Sequence, residues 1–218
     1  MEFKDLFYAM ESNRDKVKAT KMSAYMRNKF PFMGVDAQKR KALCKDFFRE
    51  LKKSKQIDWN FVNDCWEQQY REFQYIAVDY LSLMQKFLIS ADVKEIKKLI
   101  LSKSWWDTVD GLDSIIGSIA LTYPEVNETL LIWSTDDNIW LRRVAIDHQL
   151  SRKERTNTQL LETIIKNNFE QTEFFINKAI GWSLRDYSKT DPDWVRDFIN
   201  RYHDKLAPLS IKEGSKYL

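Results

Sequence analysis

Glycine and proline are scarce in this chain, with five and four among 218 residues. A sheet protein of this length needs many more tight turns, so the shortage argues against β architecture. Histidine and cysteine are scarcer still, at two each. Cys44 and Cys65 fall in helical patterns away from any Cys/His cluster; they read as packed, reduced thiols of a cytoplasmic protein, although a disulfide would fit the count as well. With only His148 and His203, a zinc site has little to be built from, and no metal is expected. No apolar run approaches the ~18 residues of a membrane span. The opening Met1-Glu2-Phe3-Lys4-Asp5 lacks the apolar stretch of a signal peptide. A large excess of one charge is missing too: the net charge is +3 and the sequence pI about 8.7. That falls short of the pI above about 9 of strongly basic nucleic-acid modules, so any polyanion site must come from local clustering.

What the chain does have is amphipathic helix. Aromatics make up 14% and charged residues 31%, a balance that excludes disorder and fits many half-buried helices. Residues 2–11 and 15–29 read as two helices, followed by a turn at Phe30-Pro31-Phe32-Met33-Gly34 and a third helix from the cap Asp36 to about Lys52. From Asp58 onward, helices of 10 to 17 residues are expected to alternate with short breaks. Asp92-Val93-Lys94-Glu95, Thr122-Tyr123-Pro124-Glu125 and Thr156-Asn157-Thr158-Gln159 have the form of capping boxes, and Asp191-Pro192 that of a cap with proline at the first helical position.

The segments Phe73–Ala77, Leu141–Ala145 and Phe175–Ala179 each place an alanine four residues after an apolar one. Their alanines differ by 68 and 34, and the vacant register falls on Gly111. A small residue recurring every 34 positions marks a helix crossing repeated along a stack. The expected fold is therefore all-α, an α-solenoid of HEAT-like helix pairs in a single domain over 1–218, with N-terminal helices 1–56 capping repeats from about 57.

The stretch Lys103-Ser104-Trp105-Trp106-Asp107-Thr108-Val109-Asp110 stands at the centre of this pattern and reads as the opening turns of a helix. Trp105, Val109, Leu112, Ile116 and Ala120 form an apolar stripe, while Lys103, Trp106, Asp110 and Asp113 form a polar one. The helix expected over 172–188 carries Lys178, Trp182 and Arg185, with Lys189 just beyond it. The one expected over 138–150 offers Arg142 and Arg143. Cations interleaved with aromatics suit a nucleic-acid groove, where charges neutralise phosphates and rings stack. On spacing alone the two tryptophans read equally as core, Asp110 as a solvated first-turn acid, and Arg142 and Arg143 as a solvated face with Asp147 one turn from Arg143. His148 reads as structural, and Trp59, Trp66, Trp133, Trp140 and Trp194 as packing residues.

The motifs Tyr25-Met26-Arg27 with Phe32-Met33-Gly34, Arg71-Glu72-Phe73-Gln74, Lys103 to Asp110, Asp137 to Arg143, Phe174 to Arg185 and Leu206 to Ser210 follow one another across nearly the whole chain. In this order they resemble the AlkD-type DNA alkylation repair glycosylases, which are built of HEAT-like repeats. The resemblance implies catalytic roles for Asp110, Trp106 and Trp182. It implies DNA-backbone contact by Arg143 and an aromatic near the lesion at Tyr25. Arg142 stands where some relatives carry a neutral residue. Lys103, Lys178, Arg185 and Lys189 complete the expected DNA-binding set. The implied partner is double-stranded DNA with alkylated bases, bound by a cytoplasmic, nucleoid-associated monomer that touches no membrane and uses no cofactor. The family that the chain resembles is an exception among glycosylases, which generally flip their base into a pocket: it holds the damaged pair stacked and reaches the sugar from outside.

That chemistry matches the residue types. A base alkylated at N3 of adenine or N7 of guanine is cationic and leaves without a general acid. The remaining task is to stabilise an oxocarbenium-like sugar and place a water, which a carboxylate can do. With no lysine in the trio, a monofunctional enzyme is expected. A non-catalytic HEAT-repeat DNA binder and a protein–protein scaffold stay open as alternatives.

Overall fold

The computed structural model describes residues 3–218, so the expected helix start at Glu2 lies outside the described residues. Among the described residues there is no strand. The chain divides into two compact units, one ending at Leu88 and the other beginning at Ile89; the expected cap–repeat boundary near residue 56 falls inside the first.

The first unit holds α1 (Phe3–Glu11), α2 (Lys16–Tyr25), α3 (Ala37–Lys53), α4 (Trp59–Glu67) and α5 (Arg71–Met84). Asp36 caps α3 as expected, its carboxylate accepting from the Lys39 amide at 3.0 Å. Helix α2 ends earlier than the pattern predicted, because Arg27 and Asn28 both adopt left-handed backbone at φ 56°. No side chain of α2 is buried. The helix is anchored through backbone instead: the Asp15 amide donates to Met33 O, and Gly34, at φ +90°, lies so close that an added Cβ would sit 2.0 Å from Asp15 O. Glu72, fully buried on α5, fixes that loop by accepting from the amides of Met33, Gly34 and Val35 at 3.0, 2.8 and 3.1 Å. In the same unit, Phe61 packs with Phe47 and Tyr80 at ring distances of 5.0 and 5.1 Å. Cys44 and Cys65 are free, buried thiols.

The second unit holds α6 (Val93–Leu101), α7 (Trp106–Thr122), α8 (Val126–Trp133), α9 (Ile139–Asp147), α10 (Thr158–Lys166), α11 (Phe174–Tyr187), α12 (Pro192–Arg201) and α13 (Pro208–Gly214). Helices α7, α9, α11 and α13 pack in succession, and α6, α8, α10 and α12 lean on them. This is a two-layer stack of helix pairs, the arrangement of an α-solenoid. Its period shows in the polar contacts, which tie each helix to the next pair. Arg143 bonds Asp110, Asn168 bonds Ser134 O, Arg152 bonds Gly117 O, and Ser210 bonds Asn177 O, across sequence separations of 33, 34, 35 and 33. A second ladder is aromatic. Trp105, Trp140 and Phe175 recur every 35 residues and meet with ring centroids 5.0 to 5.7 Å apart.

Several local expectations change. Lys103 lies before α7 with φ 51°, and the helix begins at Trp106 with Trp105 as cap, so Lys103 is not on the helical stripe with Trp106. Asp92 does not cap α6 through a capping box; it closes a short 3₁₀ turn by accepting from the Ile89 amide. Thr122 is the last residue of α7 rather than the cap of the next helix, and its hydroxyl donates back to Ser118 O. Asn157, one residue beyond the expected Thr156, caps α10. At α10 the neighbouring side chain takes over the role, Asn157 accepting from the Leu160 amide at 3.0 Å. Asp191 caps α12 with Pro192 first in the helix, as expected.

Ala77, Ala145 and Ala179 are all fully buried. Gly111 is half-buried and is not the close crossing of α7. That crossing lies at Gly117, where a Cβ would fall 2.1 Å from His148 O.

Candidate functional site

Helices α7, α9 and α11 each bring a functional side chain to one place in the second unit. Asp110 lies one turn after Trp106 on α7, and both are half-buried. Arg143 comes from α9 and is 1% exposed. Its guanidinium grips Asp110 at both oxygens, Nε to Oδ1 at 2.8 Å and Nη2 to Oδ2 at 2.9 Å. Nη1 donates to Phe175 O at 2.8 Å on α11, and the guanidinium carbon lies 5.3 Å from the centre of the Trp182 ring. This two-point pairing is the strong, directional form of an arginine–carboxylate contact.

The arginine is therefore not on a solvated face. Asn138 caps α9, and the helix turns Arg143 inward against Asp110, 33 residues earlier in sequence. Arg142 leaves this place and donates to Asn168 Oδ1 at 2.8 Å, so the adjacent arginines serve different neighbours. The stripe containing Asp110 is also less solvated than its composition implies, since Asp113 is 1% exposed.

Burial governs the protonation of this cluster. It raises the Asp110 carboxyl above its usual range, with the Arg143 pair working in the opposite direction. It raises Asp113 further, helped by the nearby Asp147 and Asp110. Asp147 is pushed up to about 7, again by burial, against the pull of Arg143. Burial works against the charge on Arg143, but Asp147 and Asp110 outweigh it and hold the guanidinium charged.

Trp182, half-buried on α11, stands among cations. Lys178 Nζ and the Arg185 guanidinium lie 6.0 and 5.8 Å from its ring centre, besides Arg143. One carboxylate braces two of them: Glu213 Oε1 meets Lys178 at 2.6 Å and Oε2 meets Arg185 at 3.0 Å. Helix α13 can bring Glu213 there because Gly181 leaves no side chain in the way; a Cβ would sit 2.5 Å from Glu213 Cβ. Lys189 lies beyond α11, exposed, 5.4 Å from the Tyr217 ring. Lys103 is half-buried in the loop before α7. Tyr25 belongs to the first unit and is 71% exposed at the end of α2.

His148 is buried with Nδ1 2.7 Å from Ala145 O. Burial and the nearby Arg152 lower it to about 3, which leaves a neutral structural ring. Trp66, Trp133 and Trp140 are buried, and Trp194 stacks on Phe198 at 5.2 Å. Sequence reasoning passed over Glu213 and Asp147 as parts of the site. The 35-residue recurrence from Lys178 to Glu213 was the available signal for the first.

A family model described as DNA alkylation repair enzyme matches residues 8–218. The chain belongs to the DNA alkylation repair enzyme family. Among solved structures, a predicted DNA alkylation repair enzyme from Enterococcus faecalis is similar over 94% of this chain and 96% of its own, at 37% identity and a TM-score of 0.86. A search of curated proteins finds no match. Membership of this family supports an enzyme role in DNA repair with DNA as the partner, and among the described residues no helix is long and apolar enough to cross a membrane.

Proposed function

We propose that this family member is a monofunctional DNA glycosylase, hydrolysing the N-glycosidic bond of cationic alkylated purines such as N3-methyladenine and N7-methylguanine in duplex DNA. It would open base excision repair by leaving an abasic site. The observation that supports this reading most is the half-exposed Asp110 carboxylate, fixed at both oxygens by a buried arginine beside an indole ringed by cations.

The alkylated base carries a positive charge, so it departs with the glycosidic electron pair and needs no proton. Asp110 stabilises the sugar cation that remains and directs a water to it; the water's proton then passes to the carboxylate or to solvent. A carboxylate held by two hydrogen bonds is already oriented when the charge develops, which is the condition for a large electrostatic effect. Trp106 and Trp182 border the reacting sugar. Lys178, Arg185, Lys189 and Lys103 take phosphates, and Tyr25 offers the DNA an aromatic side chain. Arg143 acts through Asp110 in this scheme, because its guanidinium is committed inside the fold. Neither metal nor cofactor enters it.

The deciding experiment compares release of N7-methylguanine from duplex DNA by the wild-type protein and Asp110→Asn. The expected outcome is release by the wild type and a loss on the order of a hundredfold in the variant. Duplex binding without release in the wild type would make the chain a non-catalytic DNA binder.

A further inference from the structure

Behind the Asp110–Arg143 pair lie two carboxylates that base release, as described, leaves unused. Asp113 is one turn further along α7 and Asp147 one turn further along α9; each is 1% exposed. Asp147 Oδ1 is 3.1 Å from the Ser183 hydroxyl on α11. Its Oδ2 lies 3.6 Å from Arg143 Nη2 and has no hydrogen-bond partner. The guanidinium is thus flanked by Asp110 at the open side and Asp147 on the closed side.

The charge of this cluster decides what a cationic sugar would feel. Asp110 and Arg143 together are neutral, and a neutral ion pair presents only a dipole. Arg143 would then cancel most of the attraction that Asp110 is there to supply. A second carboxylate behind the guanidinium removes that cancellation and leaves the cluster with one net negative charge.

We propose that Asp147 is a positioning residue for base release, neutralising Arg143 from behind so that Asp110 meets the developing sugar cation with its charge uncompensated. This rests on the glycosylase reading. Three helices make the arrangement, and each contributes a fixed point: Asp110 on α7, Arg143 with Asp147 on α9, and Ser183 on α11, next to Trp182.

The groups that move the Asp147 proton are Arg143 on its own helix, Asp110 and Asp113 from α7, and the uncharged Ser183 hydroxyl from α11; α6, α8 and α10, which also lean on α9, bring no charged group that does so. Burial holds that proton on up to about 7, and burial beside Asp147 and Asp110 likewise lifts Asp113 well above the ordinary carboxylate range. As Asp147 loses its proton near pH 7 the cluster gains one negative charge behind Arg143, and base release should quicken across the same interval.

The test is single-turnover release of N7-methylguanine between pH 6 and 8.5, corrected for spontaneous loss, by wild type, Asp147→Asn and Asp113→Asn. The wild-type rate should rise on the order of tenfold. Asp147→Asn, nearly the same size, should remain near the wild-type pH 6 rate throughout with duplex affinity unchanged, and Asp113→Asn should keep the rise. A rise that persists in Asp147→Asn, or one lost only in Asp113→Asn, overturns the proposal. Should Asp147→Asn fail to fold, the wild-type profile still decides, because a flat rate overturns it equally. Wild type that binds duplex and releases no base at any pH refutes the glycosylase reading instead, and this proposal falls with it.

Discussion

Removing Glu72 should loosen α2 before anything else in the first unit. Its carboxylate receives the amides of Met33, Gly34 and Val35 at 2.8 to 3.1 Å in a fully buried setting. Hydrogen bonds to a charged group contribute about 1.5–3 kcal/mol each, and a buried amide left without a partner costs about 1–3 kcal/mol. Some amides would reach water once the loop relaxes, so Glu72→Ala should cost about 4 kcal/mol rather than the full sum of three bonds. Glu72→Gln should cost roughly half as much, because the amide oxygen still accepts while the new NH₂ faces donors. The loop in turn holds the first turn of α2, which buries no side chain of its own. The assays are urea denaturation and amide exchange over 16–25. Protection there should fall further than in α3, whose cap Asp36 is independent of Glu72. A loss below about 1 kcal/mol with unchanged exchange in α2 would refute the reasoning.

Two other perturbations test the second unit. Gly117→Ala places a methyl 2.1 Å from the backbone oxygen of His148; the strain should cost about 3 kcal/mol and lower the Tm by roughly 5–10 °C, and a melt within 2 °C of wild type, on the order of measurement error for such a change, would exclude the close crossing. Lys178→Ala and Arg185→Ala should each make the dependence of duplex affinity on salt shallower by about one phosphate contact. Arg142→Ala, whose side chain bonds Asn168 instead, should leave that slope alone; an equal shift would mean that Arg142 does reach the DNA.

Sequence patterning carried the helical class and much of the element order, because apolar spacing and caps such as Asp36 and Asp191 act within a few residues. The 34-residue recurrence was legible because Ala145 and Ala179 are both small and fully buried, on α9 and α11. Arg143 was harder. Its i+4 relation to Asp147 reads the same whether the pair is solvated or buried, and the partner that commits it, Asp110, lies 33 residues away. Asp113 and Glu213 were obscured likewise, as charge alone does not reveal which face a neighbouring helix will cover. The capping boxes near Asp92 and Thr122 failed because Asp92 turns back to the Ile89 amide and Thr122 is still inside α7. Gly111 fitted the arithmetic of the repeat, but the backbone contact of α7 lies further along at Gly117.

The ties between successive helix pairs have a mechanical consequence. Each joins a pair only to its neighbour, as Asn177 to Ser210 or Ser134 to Asn168 do, so the second unit behaves like a row of clasps and not a single knot. Opening of the α11–α13 clasp alone would act where Glu213 holds Lys178 and Arg185. The grip on the cations beside Trp182 would then be lost while Asp110 and Arg143, two clasps further in, still hold.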